Sequence, residues 1–313
     1  MSEGFKYVFG PVPSRRLGLS LGVDLVPYKT CTYDCVYCQL GRTTVKTIER
    51  RAYVPVNDVL DEVRRRLARG PRPNYITLSG SGEPTLHSGV GEIIRGIKAI
   101  TEIAVAVLTN GSLLWMEDVR KALLNADLVV PSLDAGTPET FARINRPHQA
   151  ADFNRMVDGM IAFREEYSGN FWLEVFLVDG INDTDEDIAH IVNVARRIKP
   201  DCIQLNTVTR PPAEEMSRPL SKERLEQIAR RFVPKAEVIA DLLPEMTDWQ
   251  KGCMDDIAAM CRRRPCTLED ISRAFSLNPN DVSKYLHELQ RRGSIETKRT
   301  AGRTYFVTSK KRS

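Results

Sequence analysis

The chain has 313 residues, enough for one large domain and a small one. Hydrophobic residues make up 42% and charged residues 27%. With no segment approaching a membrane span, no apolar leader in Met1–Lys6 and no disulfide-like cysteine framework, this predicts a cytoplasmic globular protein in a reducing compartment. Net charge is +4, but residues 254–313 hold 13 Lys and Arg against seven Asp and Glu, so the positive excess sits in the C-terminal segment and suggests a polyanion-facing module.

Residues 1–19 are rich in Gly and Pro and read as an extended lead-in, neither strand nor helix. Arg15 and Arg16 stand just before the first strand, Leu21 to Val26, either as partners for a carboxylate or phosphate near a site or as a solvated loop. Beyond it, short apolar strands alternate with amphipathic helices. The strands fall at Tyr75 to Leu78, Ile103 to Leu108, Leu128 to Ser132, Trp172 to Val178 and Cys202 to Leu205, with one more short strand at Glu237 to Ala240. Such alternation is the signature of a parallel sheet covered on both faces. Six repeats over about 220 residues fit a partial barrel, below the roughly 250 residues of a full eightfold one. Reactive groups of such barrels sit at the C-terminal ends of the strands. Glu83, Asn110, Asp134, Asn182 and Asn206 all fall there, although Asn110, Asp134 and Asn182 suit turns and helix caps equally well.

The cysteine loop follows the first strand. Cys31, Cys35 and Cys38 fall within eight residues, spaced Cys-x3-Cys-x2-Cys. Thiolates are soft ligands that favour iron–sulfur clusters, zinc or Cu(I). Three protein ligands on a cubane leave one iron with an open position, as catalytic metal sites keep for a substrate or cofactor. Two other readings stand beside this one: a buried helix face, since the spacing is also i, i+4, i+7, and a zinc site with a distant fourth ligand. Thr30, Thr32, Tyr33, Asp34 and Val36 are mediocre helix formers and Pro27 lies just upstream, which weighs against the helix.

Cys-x3-Cys-x-Tyr-Cys, with Tyr37 before the last cysteine, resembles the cluster loop of the radical S-adenosylmethionine (SAM) superfamily. Gly80-Ser81-Gly82-Glu83-Pro84 after the second strand resembles its Gly-Gly-Glu motif, departing at Ser81. The context Gly-Pro-Val-Pro-Ser-Arg-Arg ahead of the loop and Cys38-Gln39-Leu40-Gly41 after it resembles a group related to the archaeal wyosine synthases. The resemblance implies an α/β fold with a partial (β/α)6 TIM-type barrel over residues 1–245. It implies a [4Fe–4S] cluster on Cys31, Cys35 and Cys38, SAM on the fourth iron, and a reductant such as flavodoxin or ferredoxin. Gly82 would allow close backbone approach to a ligand, and Glu83 would meet the SAM ammonium. Tyr37, Asn110, Asp134 and Asn182 would be further cofactor contacts, and reductive cleavage would give methionine and a 5′-deoxyadenosyl radical that abstracts hydrogen from a substrate.

Arg143, Asn145, Arg146 and His148 form a polar group after the fourth strand, in reach of a substrate or simply solvated. Cys202 reads as strand core, and Cys253, Cys261 and Cys266 as small buried apolar residues, since their spacing matches no auxiliary cluster. Residues 254–313 read as a winged helix-turn-helix. Thr267 and Asn278 serve as N-caps, Ser276-Leu277 as the turn, and Ala301-Gly302 as the tip of a hairpin. Asn280, Ser283, Lys284, His287 and Arg291 would form an exposed recognition face, with Lys298, Arg299 and Arg303 on the wing. Such modules dock into nucleic-acid grooves but also bind protein. Three functions therefore compete: a radical SAM enzyme acting on RNA or tRNA, one acting on a peptide or protein, and a cluster-bearing DNA-binding regulator.

Overall fold

The computed structural model describes residues 5–69, 71–209, 212–214, 216–240, 248–275, 277–300 and 303–309. Strand β1 (Val8–Ser14) pairs antiparallel with β2 (Gly18–Val23). This corrects the expectation of a structureless lead-in. Proline is tolerated on an edge strand, and the register shifts between Phe9 and Val12, where a bulge absorbs Gly10-Pro11. The short parallel pair β3 (Thr30–Cys31) and β4 (Val45–Lys46) brackets the cysteine loop.

The chain then alternates helix and strand: α1 (Val56–Leu67), β5 (Tyr75–Leu78), α2 (Val90–Ile100), β6 (Ala104–Thr109), α3 (Glu117–Leu123) and β7 (Leu128–Pro131). Helices α4 (Pro138–Asn145) and α5 (Phe153–Glu166), β8 (Asn170–Leu177), α6 (Asp185–Ile198), β9 (Cys202–Thr207), α7 (Lys222–Ala229) and β10 (Glu237–Val238) complete it. The sheet order is β1-β2-β5-β6-β7-β8-β9-β10, parallel throughout except for β1. All six expected strands are present, and the further short strand expected at Glu237 to Ala240 is β10, a seventh parallel one.

Side chains alternate across the sheet. Ile76, Leu78, Val105, Val107, Leu173 and Val175 are fully buried with the helices in one large core. On the other face, Ala106, Leu128 and Val130 pack with Leu17 from the turn between β1 and β2. That second face is concave, because residues of β6 through β9 and the loop just past β5 line a single cavity on it. The sheet has two free edges, β1 and β10, so its curl is open on one side.

The C-terminal segment has its own core. Helices α8 (Asp248–Arg263), α9 (Leu268–Phe275) and α10 (Pro279–Arg291) and the antiparallel pair β11 (Ile295–Thr300) and β12 (Arg303–Thr308) bury Ile257, Cys261, Cys266, Ile271, Val282, Leu286, Leu289 and Phe306 together. Thr267 and Asp270 cap α9 reciprocally, each backbone N–H donating to the other's side chain at 3.0–3.1 Å. Asn278 caps α10 through the N–H of Asn280. The expected turn residue Ser276, the hairpin tip Ala301-Gly302, Arg210-Pro211 and the linker 241–247 lie outside the described residues. The helix face expected to be exposed is not. Asn280 and Ser283 are buried, Lys284 and His287 are half-buried, and only Arg291 of that row is exposed. The cause is docking: the first turn of α10 packs on β1, where the Gly10 N–H donates to the Asp281 carboxylate, and Asn278 donates to Asp24 beyond β2. Arg299 Nη2 also donates to the Ala213 carbonyl at 3.1 Å. Among the described residues no helix is long and apolar enough to cross a membrane.

Candidate active site

The three cysteines line one cavity of about 360 Å³ at the C-terminal ends of the parallel strands. Residues 32–44 carry no helix, so the cysteines do not form a helix face. Instead the loop is braced by α4: the Asp34 N–H donates to the Asn145 carbonyl and the Val36 N–H to the Ile144 carbonyl, both at 3.0 Å. No other Cys and no His lines the cavity among the described residues. Nor does any group of three or more His, Cys, Asp or Glu side chains there converge as on a single metal ion. A cubane takes its ligands at separate irons, so thiols spread round a cavity suit it better than they suit mononuclear zinc. Burial pushes the Cys31 thiol up to about 12, and Cys35 and Cys38 are also raised by burial. Thiols in such a place ionise when a metal replaces the proton.

Two of the sulfurs receive amide donors. Asn110 Nδ2 lies 3.6 Å from Cys31 Sγ and 2.7 Å from Thr32 Oγ1, and its Oδ1 accepts from the Ser112 N–H. Asn145 Nδ2 lies 3.4 Å from Cys35 Sγ and 2.7 Å from Asp134 Oδ2. Hydrogen bonds to ligand sulfur tune a cluster's potential. Asn145 is thus a brace for the cysteine loop. Its neighbours point elsewhere, with Arg143 on the Ile181 carbonyl and Arg146 on Glu214.

Glu83 is buried beside Cys31. Its Oε1 accepts from the Thr85 N–H and from the hydroxyls of Thr85 and Thr109 at 2.6–3.0 Å, while Oε2, among the described residues, accepts only from the Asn110 N–H at 2.7 Å. Oε1 is saturated and Oε2 retains a lone pair for a further donor. Burial raises the Glu83 pKa against the pull of these donors. Gly82 is required by the protein's own backbone rather than by a ligand: a Cβ there would sit 1.7 Å from the Thr30 carbonyl oxygen, where the strand end presses on the cysteine loop. The departure at Ser81 has a local reason, since its hydroxyl and N–H both donate to the buried Asp24 carboxylate.

Two of the expected contact residues lie off the cavity. Asp134 does not line the cavity. It accepts from the Tyr37 hydroxyl, Asn145 Nδ2 and the Phe176 N–H, and burial pushes it up to about 6. It positions Tyr37, whose ring does line the cavity and stacks on Phe176 with centroids 3.9 Å apart. Asn182 is fully buried, with its amide spent on the carbonyls of Asp134 and Phe176 and on the Val178 N–H, tying the ends of β7 and β8 together.

Residues 25–195 match the Radical SAM superfamily, more than half of the chain. This chain belongs to the radical SAM superfamily. Members are enzymes that use a [4Fe–4S] cluster and S-adenosylmethionine. A UPF0026 protein of Helicobacter pylori is 32% identical over 97% of this chain and 98% of its own length. A Brachyspira hyodysenteriae protein named GTPase Obg is 41% identical over 93% of this chain, which spans only 43% of that longer protein. A radical SAM methyltransferase from Sphaerobacter thermophilus shares the superfamily fold, with a TM-score of 0.54 at 18% identity over 70% of this chain and 65% of that one.

Proposed function

We propose that this chain is a radical SAM enzyme whose cluster sits on Cys31, Cys35 and Cys38 and whose substrate occupies the concave face of the sheet, read as a partial (β/α)6 barrel. The observation that carries this is three thiols on the wall of one cavity that no fourth Cys or His lines among the described residues. When bound and reduced, the cluster supplies the electron that cleaves SAM to methionine and a 5′-deoxyadenosyl radical.

The protein's own part is positional. Asn110 and Asn145 orient two sulfurs, and Glu83 Oε2 offers an acceptor to the SAM ammonium. The Tyr37–Phe176 stack walls the site against water. Oxygen-protected, reconstituted protein given SAM and dithionite is expected to form 5′-deoxyadenosine; an intact cluster that repeatedly fails to do so overturns the reading and favours a regulator.

The three helices and hairpin at the C-terminus support a winged helix-turn-helix reading. Nucleic-acid binding through α10 would require undocking, since Asn280, Lys284 and His287 line a cavity together with Phe9, Arg15 and Arg16 of the barrel. The exposed Lys298, Arg299 and Arg303 keep RNA or tRNA as a second reading. A steep salt dependence of RNA binding, lost when residues 254–313 are deleted from the full chain, would support it.

A further inference from the structure

Two guanidiniums reach the concave face from the turn between β1 and β2. Leu17 packs against Ala106, Leu128 and Val130 on that face. Arg15 and Arg16 lie one layer nearer the strand ends and line the cavity that holds the cysteines. Arg16 Nη2 donates to Glu174 Oε1 at 2.5 Å, and its side chain is nine-tenths buried. Its other amine, Nη1, is buried with no hydrogen-bond partner among the described residues. Arg15 donates to a neutral partner, Asn206 Oδ1, at 3.1 Å, and Asn206 in turn donates to the same Glu174 oxygen at 2.9 Å. Burial opposes charge on Glu174, but Arg16, Asn206 and Arg15 together outweigh it and hold the carboxyl below its ordinary range. Two cations thus share one carboxylate, and a buried N–H is left over. A buried, unpaired guanidinium donor is costly unless an anion completes it.

Helix α10 bears on the same place. Asn280, Lys284 and His287 line a second cavity of about 250 Å³ that shares Arg15 and Arg16 with the first. Phe9 of β1 and Ala240 just past β10 line it too, so α10 stands in the gap between the two free sheet edges. The side entrance is walled by protein.

We infer that Arg15 and Arg16 form the anion-binding end of the substrate site, and that the molecule held there is a small carboxylate- or phosphate-bearing compound enclosed laterally by α10. This rests on the radical SAM reading of the cavity. The SAM carboxylate does not compete for the role: on that reading it chelates iron beside Glu83 and Asn110 on the β5–β6 wall, whereas the guanidiniums engage β8 and β9.

The test titrates reconstituted, SAM-saturated full-length protein with inorganic phosphate and, separately, with acetate, reading calorimetric binding and melting temperature. Saturable binding of at least one anion is expected, weakened tenfold or more in Arg16→Gln. That variant strands Glu174, so Arg16→Gln/Glu174→Gln, which keeps a neutral buried pair, is measured alongside and is expected to lose the anion equally. Glu174→Gln alone removes the competing carboxylate and is expected to bind the anion more tightly than the unaltered chain. Preference for phosphate or for acetate assigns the substrate's acidic group. No saturable response, undiminished binding in the double variant, or a tenfold loss of SAM affinity in that variant overturns the inference. So does binding of an RNA oligomer that the double variant abolishes. Deoxyadenosine formation on the same preparations tests the radical reading separately: its absence with anion binding intact removes the reaction and keeps the subsite.

Discussion

Two regions of this chain each hold three cysteines, and their surroundings differ. Cys31, Cys35 and Cys38 line a cavity, two of their sulfurs accept amide N–H donors, and the loop carrying them is clamped by α4. Cys261 and Cys266 are buried among Ile257, Ile271, Leu286 and Phe306, and Cys266 Sγ turns its S–H to the Arg264 carbonyl at 3.3 Å. The Cys253 side chain lies outside the described residues. A cysteine near another cysteine is not yet a ligand. Space for the metal and donors aimed at the sulfur separate a cluster site from an apolar core that happens to contain thiols.

The sharpest way to break this comparison is to exchange single thiols. Cys35→Ser is expected to abolish iron incorporation and deoxyadenosine formation altogether, read by metal analysis of the anaerobically reconstituted protein. Cys266→Ala is expected to leave iron content unchanged and to lower stability by about 1–2 kcal/mol through the lost buried sulfur, read by denaturant unfolding. Iron loss in Cys266→Ala would place the C-terminal cysteines at a metal site and undo the contrast.

A second change sharpens the role of the amide donors. Asn145→Leu removes the N–H aimed at Cys35 Sγ. A hydrogen bond worth about 0.5–1.5 kcal/mol favours the more negative, reduced cluster. Its loss should therefore lower the midpoint potential by roughly 20–60 mV, taking 59 mV per tenfold for one electron. A redox titration followed by electron paramagnetic resonance reads the shift, and an unchanged potential would reduce Asn145 to a loop brace.

The smallest expected effect lies at the docking of α10. Burial raises the Asp281 carboxyl from an ordinary 3.8 to about 6, against the pull of Lys284 on its own helix, Arg66 of α1 and the Gly10 N–H. The folded state therefore holds this proton more tightly than the unfolded chain. Its contribution to stability appears as pH falls through about 6 and is complete below the ordinary value. Relative to Asp281→Asn, the unaltered chain should gain a few degrees in melting temperature between pH 7 and pH 5. Parallel melting curves for the two proteins would refute this assignment.

Much of the proposed cluster site was legible because its three cysteines are close in sequence. Glu83 and Asn110 were legible as polar residues at strand ends, and the structure sets both on the wall of the cavity while each braces its neighbours. Asp134 and Asn182 showed the limit of that rule. A strand end can aim a polar side chain inward to tie loops together as readily as toward a ligand, and Glu83 and Asn110 line the cavity where Asp134 and Asn182 do not. Glu174 carried an unused signal: a single charge at an inward position of an otherwise apolar strand, which a buried cation had to answer. The edge strand β1 was hidden by its Gly and Pro, whose cost depends on whether a strand has neighbours on both sides.

By itself the sequence determined the three-thiol loop, the alternation of strand and helix and the order in which site residues reach the strand ends, because each rests on contacts or periodicities spanning a few residues. Only the tertiary structure decided that Asn145 serves Cys35 from 110 residues away and that Arg16 meets Glu174 from 158. It also turned the expected recognition face of α10 toward the barrel. Those pairings are made by the curl of the sheet and the docking of a second core on its edge. The free energy of bringing distant groups together depends on the whole packing around them, and no local pattern encodes it.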